Sequence, residues 1–570
     1  MAMWMHPGVL IIIGSLLLPV IRDKRLKKSY FIFLPVLSLV LLILVSFNLF
    51  GDIPFTSWNI HFLDYDLVLC KVDRLSMIFA YAFTIVTICA NIYSYHVKKD
   101  LEHIPAMLYF GSTLGMIFAG DLFTLFIFWE LMSLTALFLI WSNKTQNAKR
   151  AGFRYILWHI FGGVCLLGGI LLHLHNTGSI DIVKFPWGSG IEYLSSYLIL
   201  VGFMVNAAVP PFHTWLTDAY PAATVTGAVY LSAFTTKSAV YILIRCFSGI
   251  NVLIWIGAIM AIYGVLFALI QNDIRKMLSY SIISQIGYMI CGIGLGSNMA
   301  INGSIAHAFC HILYKSLLFM TAGELIASTG KTNLSDLGGL YKEKKATFWI
   351  YMIGALSISG FPLFSGFVSK SMIIESSAYL NQPFVWILLE LASIGTFLYI
   401  VLKVPRSIWF TKDKRPNIDM IRSPINMYIG MGILAALCII IGVYPNLLYN
   451  LLPYPVDFDP YRASHILSSV QLFLFAFIPF WFIRDRFKNE NKIILDIDWF
   501  FKKIGGGFMT FCRSYLGSFR DSVNDSVSNT IASLVYLINF KDAKRVSVDY
   551  YLLSVIVLFL IFFIYYVMML

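Results

Sequence analysis

Residues 121–141 read DLFTLFIFWELMSLTALFLIW, and this stretch decides the class of fold. Past Asp121 it is apolar to its end but for one ionisable side chain, Glu130, near the middle. About 20 apolar residues in a helix cross the roughly 30 Å of hydrocarbon in a bilayer. A barrel strand would alternate apolar and polar residues over about ten positions. This run does not alternate, so it reads as a membrane helix.

Working outward, hydropathy windows give about sixteen such spans. They fall near 6–21, 29–49, 73–95, 105–119, 121–141, 153–174, 193–211, 222–246, 252–271, 277–297, 303–326, 347–374, 384–410, 424–448, 466–484 and 548–569. Composition agrees: 59% of residues are hydrophobic and 13% charged, about half the charge of a soluble domain. The expected class is an all-α polytopic membrane protein.

The formal charge of +12 invites a nucleic-acid reading, and its distribution rejects one. Arg22, Lys24, Arg25, Lys27 and Lys28 fill the first connection, then Lys98 and Lys99, then Lys144, Lys149 and Arg150. Arg275 with Lys276, Lys342 with Lys344 and Lys345, and Lys412 with Lys414 and Arg415 continue the series. The intervening connections, such as 296–302 and 375–382, carry no Lys or Arg. Alternation of this kind is the positive-inside rule. It predicts both termini outside a bacterial inner membrane. The basic cluster follows the first apolar run rather than preceding it, so that run is expected to stay as a helix and not to be cleaved. The eight cysteines are scattered singly, with no CxxC pair, and no glycine-rich phosphate loop follows a strand. Neither a metal nor a redox cofactor is expected.

Two spans are interrupted. AAVPPFHTWLTDAYPAAT (207–224) holds Pro210, Pro211 and Pro221, and SISGFPLFSGFVSK (357–370) holds Gly360, Pro362 and Gly366. Proline removes a helical hydrogen bond, and carbonyls freed at membrane depth must face protein or water. A pair of broken helices in two halves of a transporter points to sites near the midplane. Outside the spans, 51–70 reads as a short extended excursion. Residues 485–547 mix aromatics with basic residues in DWFFKKIGGGFMTFCRSYLGSFRD (498–521), which suits an amphipathic surface helix or a plain connecting loop.

Ionisable residues inside spans are the candidates for function. An ionised carboxylate such as Glu130 costs about 3 kcal/mol at the centre of a membrane helix, so it is paired, protonated, part of an ion path or a structural hydrogen-bonding group. Lys237 lies deep in LSAFTTKSAVYILIR (231–245), and its depth weighs against snorkelling. His307, His311 and Lys315 in IAHAFCHILYKSLLF (305–319) recur every four residues, along one helix face. That spacing suits a proton relay, a metal pair or packing. Lys370 ends the second broken segment. Glu390 and Lys403 follow in the next span, where they pair or snorkel.

With these residues in view, FWELMSL (128–134), PPFHTWLTDAYP (210–221), QNDIRKMLSYSIISQIGYM (271–289), HAFCHILYKSLLF (307–319) and GFPLFSGFVSK (360–370) resemble the motifs of antiporter-like proton-channel subunits. These occur in respiratory complex I and in Mrp-type Na⁺/H⁺ antiporters, with the D-type Mrp subunit the nearest likeness. The resemblance runs in order from about residue 70 to 410. It implies a core of about fourteen helices, built on two inverted five-helix repeats that each hold a broken helix, with two extra C-terminal spans. The implied organisation is N-terminal spans and outer loop over 1–70, a proton-translocating core over 71–410, a last core span over 411–453, and an extension over 454–570.

By the same resemblance Glu130 matches a glutamate that tunes a neighbouring lysine, Lys237 matches the eighth-helix lysine, and Arg275 or Lys276 falls at a basic position of the pathway. His307, His311 and Lys315 match the relay helix, and Lys370 the outlet lysine. One position departs. Where the family places its central lysine, GFMVNAAVPPFH (202–213) has Asn206, which holds no proton under physiological conditions. Three outcomes stay open: Lys237 pairs with Glu130, Asn206 lines a water path, or this half does not pump.

The function expected is a proton-translocating subunit of a monovalent cation (Na⁺)/H⁺ antiporter, assembled with other membrane subunits. The rivals are a proton-pumping subunit of an NADH–quinone oxidoreductase-like complex and a scaffold anchoring neighbours through 485–570. No cofactor or redox chemistry is expected in this chain itself, whether or not it serves in an NADH–quinone oxidoreductase-type translocase, and no nucleic acid among its partners.

Overall fold

The protein is described from a computed structural model, which places residues 6–49, 58–62, 65–97, 100–411, 420–483 and 496–511, with a few isolated residues between 514 and 529. The expected span at 548–569 and most of 512–547 lie outside these residues. The chain divides into two units, 1–494 and 495–570.

The first unit is helical. Helix α1 (Pro7–Leu16) and α2 (Lys24–Leu49) lead into an antiparallel hairpin of β1 (Trp58–Phe62) and β2 (Tyr65–Cys70), with Ile60 opposite Leu67. This hairpin is the extended excursion expected at 51–70. Helices α3 (Arg74–Tyr93), α4 (Asp100–Phe118), α5 (Leu122–Trp141) and α6 (Gln146–Thr177) follow. Asp121 shows how the chain sets these elements. One carboxylate oxygen caps α5 through Thr124 N at 2.8 Å, and the other accepts from Val68 N in β2 at 2.7 Å. A free helix N-terminus offers unpaired N–H groups, and an acidic side chain satisfies them.

The first broken span comprises α7 (Leu194–Asn206) and α8 (Thr214–Ala222). Next come α9 (Gly227–Ala233) and α10 (Thr235–Phe247), one span interrupted at Phe234. This third break carries no proline or glycine, and the sequence does not announce it. Helices α11 (Asn251–Ile270), α12 (Ile274–Leu295) and α13 (Asn298–Thr329) are continuous. The second broken span is α14 (Lys345–Ser359) and α15 (Ser365–Tyr379). Gly366 is needed at this break, because a Cβ there would collide with the Ser357 carbonyl. The chain continues through α16 (Pro383–Phe397), which widens into π-helical turns around Pro405, then α17 (Ile425–Val443), α18 (Asn446–Tyr449) and α19 (Ala463–Ile483). In the second unit, α20 (Asp498–Phe511) exposes Trp499, Phe500, Ile504 and Phe511.

Among the described residues, 11 helical spans are long and apolar enough to cross a membrane. The chain is a multi-pass membrane protein. Its periphery and centre differ as that solvent demands. On α11, Trp255, Ile259, Leu266 and Ile270 form an exposed apolar face suited to lipid. Helix α13 is the reverse case: it packs against α3, α9, α10, α12, α14, α15 and α17. A helix bearing two histidines, a lysine and a glutamate tolerates the membrane only when protein surrounds it.

Candidate functional site

Helix α13 carries the site. His307, His311 and Lys315 lie on it one turn apart and are fully buried. The His307 and His311 rings are 6.3 Å apart between centroids. His307 Nδ1 is 3.1 Å from Ser369 Oγ on α15, and Lys315 Nζ donates to Ser281 Oγ on α12 at 2.8 Å. Neither ring nitrogen of His311 has a hydrogen-bond partner. Its charged neighbours are Lys237, Lys315, His307 and Lys370. Among the described residues no group of three or more metal-ligating side chains occurs.

Lys237, Lys370, Lys403 and Arg275 sit at broken or ending helices, unlike Lys315 in the middle of α13, and the backbone explains why. Where a helix stops, its last carbonyls lack partners and the dipole is negative. Lys237 Nζ donates to Ser232 O at 2.5 Å, across the break at Phe234. Lys370 Nζ donates to Ile358 O at 2.8 Å, at the end of α14. Lys403 Nζ donates to Leu269 O at 2.6 Å and Gln271 O at 3.0 Å, at the end of α11. Arg275 does the same for α8 through Ala223 O at 2.8 Å. Lys403 and Arg275 thus act as caps here and do not join the α13 row, and Lys276 is half-buried beside the Asp273 cap. Lys370 also lies 4.8 Å over the Tyr288 ring and feels the charge of Glu390. The second half therefore forms one chain of groups from Lys315 through His311 and His307 to Lys370 and Glu390.

The first half is arranged differently. Glu130 is half-buried, and its Oε1 has no hydrogen-bond partner. It lies against Gly163, where a Cβ would overlap the carboxyl group. Lys237 does not pair with it: the charged groups near Lys237 are His311 and Lys315. This closes the first of the three outcomes left open for Asn206. On α6, one turn before the Gly163 that Glu130 lies against, stands His159, a residue the sequence motifs do not single out. Its Nδ1 is 3.1 Å from Ser133 Oγ, three residues after Glu130 on α5, and its ring lies tilted by 34° against Tyr155, 4.1 Å between centroids. Asn206 interacts with His159 across the gap. Yet His159 Nε2, both Asn206 amide atoms and the Tyr155 hydroxyl close no hydrogen bond of good geometry. Orphaned buried polar atoms gathered in one place mark a site for water or a proton. An isolated histidine in the apolar run 153–174 is the signal that could have found it.

A second missed residue is Glu324, two turns beyond Lys315 on α13. It is fully buried and paired with Lys344 at 2.5 Å, with Ser423 Oγ at 2.5 Å, Tyr428 Oη at 3.1 Å and Thr347 Oγ1 at 2.8 Å also donating to it. Held by four donors, this carboxylate fixes the basic end of α13 to α14 and α17.

Residues 119–397 match the family model of the transmembrane region of NADH:quinone oxidoreductase and Mrp antiporter proteins. An uncharacterized protein of Methanocaldococcus jannaschii is 31% identical over 375 residues, covering 62% of this chain and 77% of that one. The chain belongs to this antiporter-like family. Other members include the A-type subunit of the Na⁺/H⁺ antiporter of Alkalihalophilus pseudofirmus, 31% identical over 66% of this chain and 52% of its own length. The A1-type antiporter subunit of Staphylococcus aureus is 28% identical over 78% of this chain and 62% of its own length. The chain thus spans between half and two thirds of these A-type relatives. Their type is A, where the motifs alone point to the D-type. Among solved structures, a chain of the Mrp complex from Dietzia sp. superposes with a TM-score of 0.72 at 20% identity, covering 84% of this chain and 99% of that one. A chain of an archaeal membrane-bound sulfane sulfur reductase does so at 0.70 and 24% identity, covering 82% and 98%. Both likenesses establish the antiporter-like fold.

Proposed function

We propose that this chain is the proton-translocating membrane subunit of a multisubunit monovalent cation (Na⁺)/H⁺ antiporter, seated in a bacterial inner membrane with both termini outside. The observation that carries the reading is the buried row on α13, flanked by lysines that sit on helix breaks. Three fully buried lysines in one membrane protein are costly to keep, and a proton path is the use that requires them. Like charges along the row repel, so a proton entering near Lys315 favours release near Lys370. In the first half, Glu130 and His159 take up and pass on the proton, with Asn206 and Tyr155 beside the His159 ring. This half thereby works without a central lysine. The antiporter names of the A-type relatives support the coupling to Na⁺, and coupling needs only that filling one site shifts the energetics of another.

The test is Glu130→Gln in the assembled complex, followed by cation-driven proton movement in vesicles. Assembly is expected to persist and proton movement to fall to background. Normal transport by the assembled variant contradicts the reading. A second reading, a proton pump within a redox-driven complex, is favoured by the likeness to the respiratory sulfane sulfur reductase chain. Mass spectrometry of co-purifying proteins separates the two: small cofactor-free membrane proteins favour antiport, while flavin- and Fe–S-binding partners favour the redox pump.

A further inference from the structure

Helix α19 begins beyond the stretch that matches the family model, which ends at residue 397. It is nevertheless built onto the end of the proton row. Phe473 of α19 stacks on Phe361 at 5.5 Å and on Phe397 at 4.7 Å, which clamps the helix against the second break and the end of α16. Above this clamp lies a cavity of about 110 Å³, lined by Lys370, Glu375, Glu390, His465, Ser468 and Ser469 among others. That volume holds several waters, at roughly 30 Å³ of liquid volume each. His465 Nε2 is 3.8 Å from Glu375 Oε1, and the two side chains stay partly exposed, at 17% and 28%. Glu375 is more than a turn beyond Lys370 on α15, away from the lysine-rich connection at 342–345 that precedes α14. The cavity therefore lies toward the end of the bundle opposite the basic connections.

We propose that α19 belongs to the ion path: it completes a vestibule over Lys370 and Glu390, and His465 passes protons between this vestibule and the water outside. The inference rests on the proton-translocating reading above and adds a residue and an element to it. In the step, an N–H bond of the Lys370 ammonium breaks and an O–H bond forms on Glu390 or on vestibule water. That O–H bond then breaks as the proton forms an N–H bond on the unprotonated nitrogen of the His465 ring, giving the imidazolium. The opposite ring nitrogen releases its proton to outside water, which restores the neutral imidazole. Glu375 is the acidic neighbour of the ring, 3.8 Å from its Nε2. The groups that line the cavity with His465 are Glu375 and Lys370 from α15 and Glu390 from α16, with Phe458 edge-on to the ring at 5.6 Å; Arg462, just before α19, is the nearest charged residue along the chain. An uncoupled packing helix needs neither the histidine nor the serines that face the cavity.

Two variants of the intact complex in sealed vesicles test this. His465→Gln is expected to slow proton movement about a hundredfold, the lower end of a proton-transfer contribution. It is also expected to flatten the dependence on pH at the outer face. For Ser469→Cys, a membrane-impermeant thiosulfonate ammonium reagent added outside is expected to modify the thiol and stop transport, measured against the same vesicles before the reagent. Leu467→Cys, on the exposed face of α19, is expected to show no loss on the same treatment. An unchanged rate and pH profile for His465→Gln, or Ser469→Cys that stays unmodified or is modified without loss of transport, overturns the proposal. A parent complex that moves no protons under cation drive overturns the antiport reading itself.

Discussion

The two broken spans of this protein end their first helices in the same way and differ in what meets the end. Helix α7 stops at Asn206, and the carbonyl one residue earlier, Val205 O, accepts from Trp215 Nε1 at 2.9 Å. Helix α14 stops at Ser359, and the carbonyl one residue earlier, Ile358 O, accepts from Lys370 Nζ at 2.8 Å. A helix end at membrane depth needs a donor, and either side chain supplies one. Only the ammonium also carries a proton that can leave. The break is thus a structural requirement, and the proton site is an option placed upon it. In the second half the two coincide at Lys370. In the first half they are separate: Trp215 closes the break, while the titratable groups Glu130 and His159 stand on α5 and α6.

Lys370→Met should have the largest effect, because it removes cap and carrier together. Proton movement in vesicles is expected to fall by about 10²–10⁴, and the unpaired Ile358 carbonyl to cost about 1–3 kcal/mol in thermal unfolding. Asn206→Lys sharpens the contrast from the other side. An ammonium beside His159 opposes a second positive charge there, so transport is expected to drop about tenfold; a gain would mean that the first half lacks a carrier. Gly163→Ala pushes a Cβ into the Glu130 carboxyl, and a severalfold loss of transport with assembly intact is expected. The smallest effect on transport should come from Trp215→Phe. It removes the Trp215 bond while Val205 O keeps the bond from Ala208 N at 3.1 Å, so a loss of about 0.5–1.5 kcal/mol of stability is expected, read as a lowered melting temperature in detergent, with most of the rate spared. If Trp215→Phe silences transport as fully as Lys370→Met, the separation of cap from carrier fails.

Much of this architecture is legible in the sequence for a plain physical reason. Hydrocarbon solvent leaves long apolar runs, and proline or glycine marks two of the three breaks. Each lysine on or beside the α13 row stands out because a charge at that depth is costly. The third break is hidden: Phe234 and its neighbours hold no breaker, and Lys237 folds back across the interruption onto Ser232 O. His159 and Glu324 escape notice because they lie outside the motif positions, although each is a polar residue in an apolar run. That Lys237 belongs to His311 and Lys315 and not to Glu130 follows from which helices pack together, which no spacing along the chain encodes. The cap roles of Arg275 and Lys403 depend on carbonyls that lie at distant helix ends, and are equally invisible to spacing.

On the proposed reading, buried titratable groups carry the proton through both halves, and His159 serves where a lysine is absent. The decisive quantity is the initial rate of proton movement in vesicles holding the assembled complex with His159→Gln, set against the parent at equal content. A rate near background is expected, because the imidazole that accepts and releases the proton after Glu130 is then gone. A rate equal to the parent would show that the proton crosses the first half without His159, and would refute a histidine carrier there.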